Sequence, residues 1–446
     1  MIDVLRSHLD EASARGLAHA VSRAVGDGSL APGTRLPPIR TVARELHLSP
    51  TTVSGAWNLL ARSGTIRTDG RRGSFVAGRP RTGPVRYRRA LEHAAQFELD
   101  LSAGVPDPNL LPELAPTLRR LHLKAETPET YLDEPVLPEL RDVLADGWPW
   151  PVEAITVVDG AMDALDLIVT CFVRFGDRVA VENPCFPPLL DLLESAGALV
   201  VPVALDDDGP VPAALQDAVD IGAQTFFLQP RAQNPTGSAL SERRRDELAR
   251  ILSGGDVLVI ENDSAGDVAA SELVSLGTRR PQRTVHIHSF SKSHGPDLRL
   301  AAVGGAAEVV ETLVERRRLG QGWTSRLLQR ILLDLLVHRE AIQQVERARR
   351  TYARRRSSLA RALADEGVAV GGRDGLNLWI PVLDEPAALV ALASRGIGAA
   401  AGAPFLVDRG DAAFIRVTSG VLADGARDVA RAVALAGAAP APTARR

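Results

Sequence analysis

The 446-residue chain is nearly devoid of lysine: of its 52 basic residues only Lys124 and Lys292 are lysine, and the other 50 are arginine. Arginine stays protonated and forms no imine under biological conditions, whereas lysine can. Side-chain amine chemistry is thereby confined to two positions. Cysteine is as scarce. Cys171 and Cys185 supply neither a disulfide framework nor a metal-ligand spacing, so no metal is expected and a reducing, cytoplasmic setting fits. No apolar run reaches the roughly 18 residues of a membrane span, and the polar start MIDVLRSHLDEASARG lacks a signal-peptide core. At 45% hydrophobic and 24% charged residues, the chain can fill a core and does not read as disordered. Its length suits a small module joined to a large one.

The charge that is present is unevenly spread. Net charge is −3, yet residues 1–90 carry 15 arginines against 6 acidic residues, and the remainder carries 37 basic against 49 acidic residues. A basic head on an acidic body suggests that the head meets a polyanion.

Residues 1–30 read as a helix ending at Gly26 and Gly28, and residues 31–38 have turn chemistry in Pro32-Gly33 and Pro37-Pro38. Ile39, Val42, Ala43 and Leu46 recur at helical spacing. Ser49-Pro50 marks a further helix start, which runs through Val53, Trp57 and Leu60 to Ser63-Gly64. Residues 65–68 and 73–76 read as two strands around Asp69-Gly70, a hairpin signal. This order, carried by Pro32-Gly33-Thr34-Arg35-Leu36-Pro37, Arg40, residues 46–52, Gly64-Thr65-Ile66 and Gly73-Ser74-Phe75-Val76, resembles the winged helix-turn-helix of GntR regulators. The resemblance implies a DNA-binding head over residues 1–78, with residues 51–60 in the major groove. Its candidate DNA contacts are Arg35, Arg40, Ser49, Thr51, Thr52, Ser54, Arg67, Arg71 and Arg72. Pro50 and Ser54 stand where many such regulators carry arginine, so base readout is expected to differ. Residues 79–98 form a basic linker with Arg79, Arg81, Arg86, Arg88 and Arg89.

Beyond residue 99 the pattern turns α/β. Short apolar runs at 155–158, 178–181, 199–203, 225–228, 257–260 and 285–288 alternate with helical stretches, one of them 161–175. The alternation predicts a mostly parallel sheet covered on both faces. A long arginine-rich helix after about residue 345 leads into a smaller α+β unit ending near 436, and residues 437–446 read as a loose tail.

Ser289-Phe290-Ser291-Lys292 follows the last of these runs, with Arg299 seven residues past the lysine. Gln233 precedes Asn234-Pro235-Thr236-Gly237, and Gly160-Ala161-Met162 opens a helix after a strand. Together these resemble the fold-type I aminotransferases and imply pyridoxal 5'-phosphate (PLP) as cofactor. The resemblance assigns Lys292 the imine with the cofactor aldehyde. The phosphate falls to Ser289, Ser291, Arg299 and the backbone of Gly160, Ala161 and Met162. Asn234 takes the ring oxygen, and Phe186 stacks on the ring. Arg416 and Asn377 would receive an amino acid's carboxylate. Tyr131 would reach the neighbouring subunit's phosphate.

A winged head joined to this body resembles the MocR subfamily of GntR regulators, over residues 5 to 435. The resemblance implies a PLP-dependent regulator that binds double-stranded DNA as a domain-swapped homodimer. Its effector would be a small amino compound sensed through the cofactor's imine. The alternative is an active class I/II aminotransferase carrying a DNA-binding head. Two departures bear on that choice. Where the family reads Glu-Asp-Asp, this chain has Glu261-Asn262-Asp263, putting Asn262 opposite the pyridine nitrogen. Either the cofactor is electronically blunted or Asp263 takes over, and alternation along a strand demands a bulge for the second. The tyrosine that usually follows is replaced by Ser264-Ala265-Gly266.

Overall fold

The computed structural model describes residues 1–9, 11–26, 29–31, 33–62, 65–69, 73–76, 86, 88, 90, 97–121, 130, 132–408, 410 and 412–438. Two helices, α1 (Ile2–Ser7) and α2 (Ala14–Gly26), replace the single helix expected over residues 1–30. A cap makes the break: the Ser13 hydroxyl accepts from the Gly16 amide at 3.0 Å, which starts a new helix. Helices α3 (Ile39–Glu45) and α4 (Pro50–Arg62) follow. Ser49 Oγ accepts from the Thr52 amide at 2.9 Å, and Pro50 opens α4 where its missing N–H does no harm. Strands β1 (Ile66–Asp69) and β2 (Gly73–Val76) pair antiparallel, Ile66 opposite Val76. Leu5, Leu17, Val42, Trp57, Ile66 and Val76 bring all six elements into one buried core; each such side chain stabilises by roughly 1.5–3 kcal/mol when fully buried.

The body begins with β3 (Leu99–Asp100), α5 (Leu114–Arg120), α6 (Pro138–Asp146), β4 (Ala154–Val158) and α7 (Ala161–Phe172). It continues through β5 (Arg178–Asn183), α8 (Pro187–Ser195), β6 (Leu199–Asp206), β7 (Gly209–Pro210), α9 (Pro212–Asp220), β8 (Thr225–Leu228), α10 (Glu242–Leu252) and β9 (Leu258–Asp263). Then come β10 (Thr284–Ser289), β11 (Ala301–Gly305), α11 (Ala307–Arg318), α12 (Arg326–Val337) and α13 (Arg339–Asp365). Eight strands form one sheet in the order β4-β11-β10-β9-β8-β5-β6-β7. β5, β6, β8, β9 and β10 run parallel, while β11 is antiparallel to both neighbours. Helices cover both faces, so every residue of β9 is buried, which explains its unalternating apolar start Leu258-Val259-Ile260.

Helix α7 ends at Phe172, three residues short of expectation. Val173 is extended, and Asp177 accepts from the Arg174 amide at 2.7 Å, committing the chain to a turn. The smaller unit contains β12 (Asn377–Val382), α14 (Glu385–Ala393), β13 (Ile397–Gly398), β14 (Ala400–Ala401), β15 (Ala413–Thr418) and α15 (Ala426–Gly437). β3 pairs with β13, so residues 99–100 belong to this unit although they were expected with the large one. Residue 437, expected in the tail, ends α15, and residues 439–446 lie outside the described residues.

The head rests on the body where His19 Nε2 donates to the Phe175 carbonyl at 3.0 Å and the two rings meet edge on. Of the linker, Arg86 donates its backbone N–H to Asp191 at 2.9 Å, and Ala90 packs with Trp379 and Phe405. Arg79, Arg81 and Arg89 lie outside the described residues. No described helix is long and apolar enough to cross a membrane.

Candidate cofactor site and nucleic-acid face

β10 delivers the chain to the turn that bears Lys292, at the carboxyl end of the parallel strands, the usual ligand position in open α/β sheets. Lys292 Nζ donates to the Gly104 carbonyl at 2.8 Å. Burial lowers its pKa to about 8, with the Arg416 guanidinium adding to the effect. A fraction of the amine is therefore neutral near pH 7, the form that attacks an aldehyde. Lys292 lines a cavity of about 120 Å³ with Gly104, Phe186, Asn234, Asn377 and Arg416. Register across β12 and β15 sets Asn377 opposite Thr418, whose hydroxyl donates to Asn377 Oδ1 at 3.0 Å. Asn234 Oδ1 accepts from Asn377 Nδ2 and from Arg416 Nη1, each at 3.3 Å. With the oxygen so engaged, the amide N–H groups of Asn234, which lines the cavity, are its remaining donors. Arg416 also binds the Ser102 carbonyl and stacks over Phe405 at 5.1 Å.

Gly160 adopts φ +98°, and a Cβ there would come within 3.3 Å of Arg299 Nη2. Glycine at this turn keeps room beside Arg299 and the amino end of α7, where Ala161 and Met162 begin the helix. Arg299 itself is left-handed at φ +50°. The Ser291 amide points at Ser289 Oγ, 3.4 Å away.

The two neighbours at the end of β9 part company. Asn262 shares the sheet face of Leu258 and Ile260, which pack against α7, and its buried Oδ1 has no hydrogen-bond partner among the described residues. Asp263 faces the other way. It accepts from Arg231 at 2.8 and 3.2 Å and from the Gly266 amide at 3.2 Å, with His288 Nδ1 at 3.5 Å. Burial opposes its charge, but Arg231 and His288 outweigh that and hold the carboxyl well below the usual range. Burial likewise opposes a charge on His288, yet Asp267 and Asp263 lift its pKa to about 10. The expectation that Asp263 binds cofactor is corrected: the carboxylate is held by Arg231 and the Gly266 amide, and the unbroken register with β10 leaves no bulge to turn it over. Asp263, His286 and His288 hold ligand atoms within 4.8 Å of one another. A metal there would sit against the Arg231 guanidinium and a protonated imidazole, and His286 Nδ1 is bound to Glu261 at 3.0 Å. The trio is an ion-pair cluster.

These residues fit PLP: a lysine with a lowered pKa, a turn at the amino end of α7 where Gly160 leaves room beside Arg299, and a buried polar atom at Asn262 without a partner among the described residues. Residues 98–433 match the family described as Aminotransferase class I and II, and residues 13–76 match Bacterial regulatory proteins, gntR family. The chain is 35% identical over 379 residues to the vitamin B6 salvage pathway transcriptional repressor PtsJ of Salmonella typhimurium, covering 84% of this chain and 86% of that protein. It belongs to the MocR-type regulators, GntR heads on aminotransferase bodies. It is also 29% identical to the pyridoxine biosynthesis transcriptional regulator PdxR of Corynebacterium glutamicum, covering 86% of this chain and 87% of that one. LysN, an alpha-aminoadipate aminotransferase of Thermus thermophilus, shares the fold at a TM-score of 0.68 and 24% identity, covering 78% of this chain and 95% of its own.

MocR-type regulators are PLP-dependent, and their heads bind DNA. In this member Arg35, Arg40, Thr51 and Arg67 are exposed on the head, while Thr52 and Ser54 are half-buried. Ser49 is committed to its own helix. Its hydroxyl caps α4 and lies 2.7 Å from those of Thr51 and Thr52. Arg67 lies over the Phe75 ring at 5.8 Å, which stiffens the wing. Arg71, Arg72 and Tyr131 lie outside the described residues. Sequence reading missed Ser102, Gly104, Phe405 and Arg231, which act through backbone carbonyls, ring stacking or charge and belong to no motif.

Proposed function

We propose that the protein is a transcription regulator that grips double-stranded DNA as a homodimer in the cytoplasm, and that PLP held at Lys292 sets the strength of the grip. Arg40, Arg67 and Thr51 meet the duplex, with Arg35 beside the wing. One observation carries the reading: the single described lysine sits in a cavity with Asn234, Asn377 and Arg416, in the same chain as an exposed basic winged helix. PLP supplies an aldehyde that takes up a primary amine, and an electron-accepting ring. Lys292 offers the partly neutral amine, Asn234 an N–H donor for the ring oxygen, and Gly160 to Met162 with Arg299 a seat for the phosphate.

Asn262 argues against steady transamination. A carboxylate facing the ring nitrogen keeps it protonated; a neutral amide holds that proton poorly. A small amino compound with its carboxylate on Arg416 is the effector this pocket suits. A second reading, in which PLP alone is the signal, is favoured by the Ser102 carbonyl already occupying Arg416. The names of PtsJ and PdxR point the same way.

The test measures affinity for upstream DNA by fluorescence anisotropy, with PLP, with PLP plus single amino acids, and with neither. Purified protein should show the yellow imine absorbance of lysine-bound PLP, and Lys292→Ala should abolish it. DNA affinity should change with PLP in wild type alone and fall steeply with salt. DNA binding indifferent to PLP, combined with rapid release of keto acids, would overturn the proposal in favour of an aminotransferase.

A further inference from the structure

The phosphate seat has two carboxylates beside it. Asp159 precedes Gly160, and Asp163 stands in the first turn of α7. A phosphate dianion there would meet two negative charges in a partly desolvated turn. Arg317, reaching over from α11, answers both. It is 3% exposed. Its Nη2 donates to Asp159 Oδ2 at 2.9 Å and its Nη1 pairs with Asp163 Oδ2. Around it, Thr324 Oγ1 donates to Asp159 Oδ1 at 2.8 Å, and the Asp159 amide donates to Asp163 Oδ2 at 2.9 Å. Arg299, which is exposed, has its Nη2 3.3 Å from the Asp159 carbonyl. Two carboxylates and two guanidiniums thus balance, and among the described side chains Arg317 is the one that bonds to both carboxylates.

We propose that Arg317 is a positioning residue for the cofactor phosphate. By bonding both acids it offsets one of their two charges, Arg299 supplying the other, so that the amino end of α7 can act as an anion seat, and it holds the Asp159–Gly160 turn in place. Without it the helix end would present net negative charge to a dianion. This inference rests on PLP binding at Lys292.

The experiment compares PLP with pyridoxal, which has the same ring and aldehyde and no phosphate. Both are titrated into wild type, Arg317→Gln, Asp163→Asn and the double variant, following the lysine-dependent absorbance with Lys292→Ala as blank. Arg317→Gln should weaken PLP by about tenfold and pyridoxal by less than about twofold, the size expected of an uncompensated charge at this range. Adding Asp163→Asn should restore most of the loss. Asp163→Asn alone keeps an oxygen for the Asp159 amide but removes a charge, and should raise the preference for PLP over pyridoxal by about threefold. Equal losses for both ligands in Arg317→Gln would mean that Arg317 merely supports the fold, and the proposal falls. Should that variant not fold, Asp163→Asn decides: an unchanged preference overturns the proposal. A wild-type protein with no Lys292-dependent band fails at the earlier step, and the cofactor reading goes with it.

Discussion

In the head, Arg35, Arg40 and Arg67 stand in solvent. In the body, Arg231 meets Asp263, Arg317 meets Asp159 and Asp163, and Arg416 is 2% exposed against Ser102 and Asn234. At these positions the same side chain, which supplies 50 of the 52 basic residues, is turned outward in the head and inward in the body, although the body also carries exposed arginines such as Arg243 and Arg350. An outward guanidinium costs the fold little and leaves its donors for a phosphate backbone. An inward one must find a carboxylate or carbonyl, because an unpaired buried charge is several kcal/mol uphill. The exposed arginines of the head therefore speak to binding, and the buried arginines of the body to stability and to the pocket.

The sharpest way to break this comparison is Arg231→Leu. It strands the Asp263 carboxylate inside the protein and should cost about 3–5 kcal/mol, read as a large drop in the thermal midpoint. A loss under about 1 kcal/mol would show that the body's arginines are as free as the head's. Arg40→Ala should leave stability within about 0.5 kcal/mol. It should weaken DNA binding by about 1–2 kcal/mol and reduce the slope of log affinity against log salt by about 1. An unchanged slope would remove Arg40 from the duplex contacts. The smallest effect belongs to Asn262, the inward polar group whose Oδ1 lacks a protein partner. Asn262→Asp should raise residual keto-acid formation from a supplied amino acid by about tenfold or less, measured in a single turnover. No rise would mean that this position does not govern the ring nitrogen.

Much of the site could be read along the chain because its parts are contiguous. Ser289 to Lys292, Asn234 to Gly237 and Gly160 to Met162 each occupy one turn, and a turn's chemistry is local. The alternation of side chains along a strand also foretold that Asn262 and Asp263 would face apart. What escaped the reading was non-local. Arg231 lies 32 residues from Asp263, and Ser102 lies 314 residues from Arg416. The antiparallel β11 and the pairing of β3 with β13 depend on which edges remain open once the parallel strands have assembled, and no residue pattern encodes that. The break between α1 and α2 was missed for a smaller reason: Ser13 as a cap competes with a helical periodicity that runs through it.

Residue order by itself settled the two-part architecture, the family, the lysine available to an aldehyde and the substitution of amide for carboxylate at position 262. The lysine follows from composition, and the rest from short contiguous motifs and their resemblance to known families, which are properties of a chain before it folds. Only the folded structure decided that Asp263 is bound to Arg231, that the Ser102 and Gly104 carbonyls hold Arg416 and Lys292, and that Arg317 answers two acids beside the phosphate turn. Such pairings arise when distant segments pack and water leaves, and the low dielectric then forces each buried charge to find its opposite.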